Sequence, residues 1–114
     1  MADMLKVTME SRNGLAVVYT EGYINNQGGE EIARVAYELI DDGVKILLLN
    51  LQGTKIVNSI GISILIEIIE KMLEIDGRLA FCSLTPTIDK TFHIMGLAQY
   101  TTIFDDEASA LAQD

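Results

Sequence analysis

The sequence is poor in several kinds of residue on which specialised proteins depend. Among its 114 residues there is no tryptophan, one proline and one cysteine, Cys82. A single cysteine excludes a disulfide within the chain and fits a reducing compartment. Cys82 falls in the apolar segment 78–84. A thiol in such a segment is typical of a buried structural residue rather than a reactive one.

Positive charge and long apolar runs are also scarce. Eight lysine and arginine residues stand against 17 acidic ones, which gives a net charge of −9 at pH 7. Nucleic acids and anionic membrane surfaces are therefore not expected partners, because both require a basic face. No apolar run reaches the roughly 18 residues of a spanning helix, and the first residues lack the pattern of a signal peptide. The sequence predicts a cytoplasmic protein without membrane insertion.

Catalytic and cofactor motifs are missing as well. His93 is the only histidine, and the sequence supplies no nucleophile or metal ligand beside it. Spacings typical of zinc and calcium sites are absent, and Gly28-Gly29 lacks the residues that complete a phosphate-binding loop. Asn50 ends the expected central strand, where a phosphoacceptor receiver domain requires an aspartate. These absences predict a binding protein that is not an enzyme and needs no cofactor or metal.

What the sequence does contain is a regular alternation of strand and helix patterns. Val7 and Met9 alternate with polar residues as in a half-buried strand, and Asn13-Gly14 is a typical hairpin turn before a second strand at 15–20. The segment 44–51 is apolar on both alternations, as in a central strand covered on both faces. The pattern predicts an α/β fold with a mixed, mainly parallel sheet of four to six strands and an N-terminal β-hairpin.

The helices are predicted from apolar periods near 3.6 residues and from residues that favour helix ends. Asn25 or Asn26 caps the first helix, and Thr85 followed by Pro86 starts the third. The second helix runs from about residue 60 to residue 75 and ends at Gly77. The residues expected to face the core from the second and third helices are Ile62, Leu65, Ile69, Met72, Ile88, Phe92 and Met95.

The most informative segment precedes the second helix. The central strand ends in Gly53-Thr54, and the apolar pair Ile56-Val57, at most a strand stub, leads to Asn58 and Ser59 at the helix start. Backbone N–H groups have no partner there, and the helix dipole favours negative charge. Ser59 therefore has two interpretations. It is either a structural N-cap or a hydroxyl that accepts a phosphate.

These residues resemble the STAS domain of anti-sigma factor antagonists. The matching segments are LLNLQG at 48–53, IVNSIGI at 56–62 and EGYIN at 21–25. Their order and spacing agree with that family from about residue 4 to residue 112, as expected of a single STAS domain over residues 1–114. Asn50 and Asn58 depart from the family, which usually has aspartate at both places.

The resemblance implies both a fold and a mechanism. The fold is one layer of helices against a mixed sheet. The mechanism is partner switching, in which the protein binds an anti-sigma factor that is itself a serine kinase and so regulates sigma-factor-dependent transcription. The kinase, of the histidine-kinase-like ATPase type, phosphorylates Ser59 and a PP2C-type phosphatase reverses the reaction. The residues assigned to the partner surface are Gly22, Tyr23, Ile24, Asn25, Asn58, Ile60, Gly61, Ile62 and Ile64.

A second interpretation stays open because of the two asparagines. Asn58 keeps the size and hydrogen bonding of aspartate but loses the carboxylate. If that carboxylate orients the serine or contacts the kinase, Ser59 is not phosphorylated efficiently. The chain is then a STAS module that only binds, such as a stressosome-type scaffold subunit or a lipid-transport accessory domain.

Overall fold

A computed structural model describes residues 6–12 and 14–112 of the chain. Among the described residues, five strands form one sheet in which spatial order follows chain order. The strands are β1 (Lys6–Arg12), β2 (Leu15–Ile24), β3 (Ile46–Val57), β4 (Arg78–Cys82) and β5 (Thr102–Phe104). The helices are α1 (Asn26–Asp41), α2 (Ser59–Glu74), α3 (Pro86–Ile94) and α4 (Glu107–Leu111), with a short 3₁₀ helix at Leu97–Gln99.

The strand pairing confirms the predicted mixed sheet. β1 is antiparallel to β2, and each later strand runs parallel to its neighbour. The predicted hairpin turn contains Asn13, which lies outside the described residues. No described helix is long and apolar enough to span a lipid bilayer.

β3 is the central strand, as the two-sided apolarity predicted. Its side chains alternate between the two faces of the sheet, with Leu47 and Leu49 in the main core and Leu48 in a smaller cluster on the other face. The interpretation of Ile56-Val57 as a separate stub is wrong, because β3 continues through both residues. They pair with Tyr23 and Ile24 of β2, whose register shifts keep the two strands hydrogen-bonded past Asn50.

Helices α1, α2 and α3 pack against one face of the sheet and enclose the main core. The predicted inward residues of α2 and α3 are buried, with one exception. Met95 is 49% exposed, because Gly96 after it has a left-handed backbone with φ 84° and Leu97 of the 3₁₀ helix occupies the core instead. On β1, Val7 packs against the core as predicted, whereas Met9 is exposed.

The short helix α4 differs from the predicted one-face arrangement. Ala110 packs on the opposite face of the sheet, in a small cluster with Val17, Leu48 and Cys82. The face that α1–α3 leave uncovered is therefore partly covered by α4.

Most helix ends follow the predicted residues. Asn25 and Thr85 are the N-caps of α1 and α3, where their side chains accept N–H hydrogen bonds. At the end of α2, however, the left-handed position is occupied by Asp76, with φ 57°, and not by Gly77. Gly77 follows it and donates its N–H to the carbonyl oxygen of Met72 at 2.7 Å.

Candidate functional site

The carboxyl ends of β2 and β3 lie side by side and lead directly into α1 and α2. Ile24 and Val57 are paired across the two strands, and the N–H of Asn58 donates to the carbonyl oxygen of Ile24 at 3.0 Å. The two strand-to-helix junctions are thus joined by a backbone hydrogen bond. This brings the predicted segments 21–25 and 56–62 to one edge of the sheet.

The two junctions are built in the same way. The Asn25 side-chain oxygen accepts the N–H of Gly28 at 2.9 Å, and the Asn58 side-chain oxygen accepts the N–H of Gly61 at 2.8 Å. Asn58 is therefore the N-cap of α2, and the interpretation of Ser59 as the N-cap is wrong. Asn58 has the extended backbone of a cap residue, with φ −93° and ψ 175°, while Ser59 is the first helical residue.

Ser59 is exposed at the start of α2. As the first and second helical residues, Ser59 and Ile60 have N–H groups without an acceptor inside the helix. The nearby hydroxyl of Ser63 is engaged differently, because it donates to the carbonyl oxygen of Ser59 at 3.1 Å. With the cap position held by Asn58, the Ser59 hydroxyl stands at an end of the helix that favours negative charge.

Exposed apolar side chains lie on the segments next to Ser59 at this edge of the sheet. Tyr23, Ile56 and Ile60 are 38%, 49% and 53% exposed, which is unusual for large apolar residues at one place. Ile56 was not among the predicted partner residues. It faces outward because it belongs to β3, in which side chains alternate, and its neighbour Val57 packs against the core. We call Tyr23, Ile56, Asn58, Ser59 and Ile60 the Ser59 surface.

Several predicted partner residues support this surface from beneath. Ile24 and Ile62, both assigned to the partner surface from the sequence, have their side chains in the core, so neither side chain is presented at the surface. Gly61 is buried against the backbone of Ile24, and a Cβ there would clash with the Ile24 carbonyl oxygen. Ile64 is half-buried and faces Gly29 of α1. Hydrophobic residues at the start of a helix mostly pack in the core. Sequence spacing alone does not reveal which of them remain exposed at the surface.

The remaining predicted residues lie at the rim of the surface. Gly22 is half-buried in β2, just before Tyr23, and Asn25 is half-buried at the cap of α1. Contact of Gly22 and Asn25 with a partner stays a prediction.

A second polar cluster lies on the α4 face of the sheet, and sequence reasoning missed it. The Glu107 carboxylate accepts hydrogen bonds from the Asn50 amide at 3.0 Å and from the Tyr19 hydroxyl at 3.1 Å. Burial, and then the hydrogen bond to Glu107, raise the pKa of Tyr19 to about 12. Asn50 also accepts the N–H of Gln52 at 3.0 Å. The structure gives a reason for an asparagine, not an aspartate, at position 50. An aspartate there would face the Glu107 carboxylate, and the two negative charges would repel each other.

The residues considered for reactive chemistry have ordinary structural surroundings. Cys82 is buried, and burial raises the pKa of its thiol to about 11, which disfavours the reactive thiolate. His93 is exposed on α3, and its Nδ1 is 2.8 Å from the carbonyl oxygen of Asp89. In the described part of the chain, no group of three or more His, Cys, Asp or Glu side chains is arranged to hold a metal ion.

Comparison with known proteins agrees with this geometry. The STAS domain model matches residues 6–110 of the chain. The chain belongs to the STAS domain family. The match includes both strand-to-helix junctions, the Ser59 surface and the Asn50–Glu107 cluster.

Solved structures with a similar fold include anti-sigma factor antagonists and the STAS domain of a transporter. An anti-sigma factor antagonist from Mycobacterium paratuberculosis has a TM-score of 0.86 and 20% identity, over 99% of this chain and 96% of that one. Bacillus SpoIIAA, an anti-sigma factor antagonist, was solved in unphosphorylated and phosphorylated forms. Its unphosphorylated form has a TM-score of 0.81 and 18% identity, over 95% of both chains. The STAS domain of a SulP transporter from Vibrio cholerae has a TM-score of 0.71 and 17% identity, over 91% of this chain and 83% of that one.

Proposed function

We propose that the chain is an anti-sigma factor antagonist whose affinity for its partner is controlled by phosphorylation of Ser59. The observation that carries the proposal is the exposed Ser59 hydroxyl among exposed apolar side chains at the start of α2. The STAS fold and its likeness to structures of anti-sigma factor antagonists support the same function.

The unmodified protein binds an anti-sigma factor through the Ser59 surface. This surface carries apolar side chains and neutral polar ones, so a partner desolvates it without burying a charge there. The chain as a whole has a net charge of −9, which gives a basic face of the partner a long-range attraction. Binding of the anti-sigma factor releases the sigma factor, and transcription that depends on it proceeds.

Phosphorylation reverses this binding by adding charge at the centre of the contact. A phosphate on Ser59 adds about −1.5 to −2 charges at pH 7. The open N–H groups of the first helical turn stabilise that charge, so the fold of α2 is retained. In the complex the same charge would be desolvated within an apolar contact, which weakens binding by about 1–3 kcal/mol.

The chain needs no catalytic group for this cycle. The anti-sigma factor is a serine kinase that supplies ATP, Mg²⁺ and the catalytic residues, and a PP2C-type phosphatase removes the phosphate. This assignment makes the protein a non-enzymatic, cytoplasmic switch component.

A second function is a STAS module that binds without regulated phosphorylation. The structural likeness to a SulP transporter STAS domain favours it, as does Asn58 in place of the usual aspartate. In that case the Ser59 surface binds a scaffold or transporter subunit, and the hydroxyl is never modified.

Phosphoryl transfer to Ser59 separates the two functions. The protein is incubated with Mg²⁺-ATP and a candidate anti-sigma kinase, and its intact mass is measured. We expect a gain of one phosphoryl group that Ser59→Ala abolishes. Ser63→Ala is the matched control, because Ser63 is also an exposed serine of α2 and lies one turn further on. The switch function is refuted if the Ser59→Ala variant is phosphorylated at the wild-type rate.

Partner affinity provides the second measurement. Ser59→Asp should weaken binding of the anti-sigma factor by about 1–3 kcal/mol, whereas Ser59→Ala should bind as the wild type does. Asn58→Asp restores the carboxylate usual in the family and should preserve or raise the rate of phosphorylation. Equal binding of Ser59→Asp and wild type would show that the switch lies elsewhere.

A further inference from the structure

A second exposed apolar surface lies at the opposite end of α2 from Ser59. Leu73, Met95 and Tyr100 are 49%, 49% and 65% exposed, and they line a groove of about 340 Å³ together with Ile66, Glu70 and Leu97. We call it the α2–α3 groove. Large apolar side chains exposed together on one surface mark an interaction site more often than isolated ones do.

The walls of the groove suit a helix. One wall is a stripe on α2, where Ile66, Glu70 and Leu73 follow one another at helical spacings of three and four residues. The other wall is formed by the end of α3 and the 3₁₀ helix, through Met95 and Tyr100. No strand of the described structure lines the groove, so a partner cannot bind there by adding a strand to a sheet edge. An amphipathic helix, with apolar residues three or four apart, matches such walls.

The charge of the groove selects the partner further. Glu70 is the only charged residue among the described residues that line it, and Glu74 is exposed one turn later on the same helix. Lys71 follows Glu70 at about 100° around the helix axis and is not a lining residue. A second copy of this chain would bring another net charge of −9 against this acidic border, which disfavours self-association.

The groove is also remote from the proposed switch. Ser59 and Leu73 are 14 positions apart on α2, and at about 1.5 Å per residue this separates them by about 21 Å along the helix axis. A phosphate on Ser59 is beyond a Debye length of about 8 Å at physiological salt. Binding in the groove should therefore not depend on the state of Ser59.

We propose that the α2–α3 groove is a second docking surface, which binds a basic amphipathic helix of a partner protein independently of Ser59. The apolar stripe of that helix packs on Leu73, Met95 and Tyr100, and a lysine or arginine beside the stripe pairs with Glu70. A protein with both surfaces can stay attached to one partner while Ser59 controls its binding to another.

Two synthetic helical peptides test this proposal with the full chain. Both have leucines at alternating spacings of three and four, and one has lysines on both sides of the leucine stripe where the other has glutamates. Isotope-labelled protein is titrated with each peptide and the amide NMR shifts are followed. We expect the lysine peptide to shift the amides around the groove and the glutamate peptide to bind at least about threefold more weakly, as for one exposed ion pair.

Matched variants locate the site and its charge preference. Glu70→Lys should weaken binding of the lysine peptide about threefold and strengthen binding of the glutamate peptide. Glu30→Lys is the matched control, because it makes the same charge change at an exposed position of α1. It should leave the affinity for both peptides unchanged. Leu73→Ala should weaken lysine-peptide binding about tenfold. Ile60→Ala on the Ser59 surface removes an equally exposed isoleucine and should have no effect, nor should Ser59→Asp.

Three results would overturn the proposal. Shifts confined to the Ser59 surface, or spread over all acidic faces and equally reduced by Glu30→Lys, would show that the groove is not the binding site. Equal affinity for both peptides would remove the charge preference. Sedimentation that shows a dimer abolished by Leu73→Ala would make a second copy of the chain the occupant of the groove. None of these results depends on phosphorylation of Ser59.

Discussion

The division of roles between Asn58 and Ser59 can be measured as a difference in stability. Asn58→Ala removes the side-chain oxygen that accepts the N–H of Gly61 at 2.8 Å. Loss of an asparagine N-cap costs about 0.5–2 kcal/mol of unfolding free energy, typically about 1. Gly61 is buried, so its N–H is poorly compensated by water and we expect a cost in the upper half of that range.

Ser59→Ala should behave differently. Among residues 6–12 and 14–112, the Ser59 side chain has no hydrogen bond that supports α2. The bond from Ser63 goes to the Ser59 carbonyl oxygen, which alanine retains. Alanine also favours helix over serine by up to about 0.5 kcal/mol. The variant should therefore remain within about 0.5 kcal/mol of wild type.

Urea denaturation followed by circular dichroism provides the assay, with stability changes read from the midpoint at constant slope. Asn25→Ala is the matched control, because Asn25 caps α1 through the N–H of buried Gly28 at 2.9 Å. It should lose about 1 kcal/mol, like Asn58→Ala. If Ser59→Ala loses as much as Asn58→Ala, or if Asn58→Ala costs nothing, the assignment of the cap is wrong.

Three further predictions concern the packing and the polar cluster. Gly61→Ala should destabilise the fold by more than about 1 kcal/mol despite the better helix propensity of alanine, because the alanine Cβ would clash with the Ile24 carbonyl oxygen. Urea denaturation measures the change in stability. A stabilised variant would contradict the close approach of Gly61 to Ile24. In a spectrophotometric titration Tyr19 should ionise near pH 12, and Glu107→Gln should lower its pKa. Because the pKa of Tyr19 in the folded protein is above the unfolded value of about 10, the contribution of Tyr19 to stability is present below pH 10 and is lost as pH rises toward 12. A Tyr19 midpoint near 10 would refute the contact with Glu107. Asn50→Asp should destabilise the fold at neutral pH, because the new carboxylate is repelled by Glu107. The coupling energy between positions 50 and 107 should be about 0.5–3 kcal/mol, and Glu107→Gln should remove it. Additive effects of the two substitutions would show that the carboxylates do not interact.

Asn50 stands where the family usually has aspartate. From the sequence alone, asparagine in place of aspartate reads as a lost charge. In the structure a carboxylate is present at that place, but Glu107 supplies it from 57 positions further along the chain. In this chain the Asn50 amide has a hydrogen-bond partner that is distant in sequence, so only the folded structure reveals it.

The sequence determined the layout of the fold because the relevant signals are local. Continuous apolarity in Leu47–Leu49 identifies a strand with two covered faces. This signal does not depend on where the strand lies in the chain. The cap Thr85 followed from residue type and position before a periodic segment, since its hydrogen bond spans only three residues. For α1 the same signals left Asn25 and Asn26 open, and the structure assigns the cap to Asn25. Polar residues before a periodic apolar segment likewise predicted that Ser59 lies at the start of a helix.

The tertiary structure decided which side chains remain at the surface and which residue has each role. Asn58 and Ser59 are both good caps by type, and the choice between them depends on the hydrogen bond from Asn58 N–H to Ile24, a contact between distant segments. Ile56 faces outward only because β2 and β3 stay paired to their ends, and Met95 is exposed only because Leu97 takes the core position. Periodicity indicates which residues share a face, but contacts between elements far apart in sequence determine whether that face is covered.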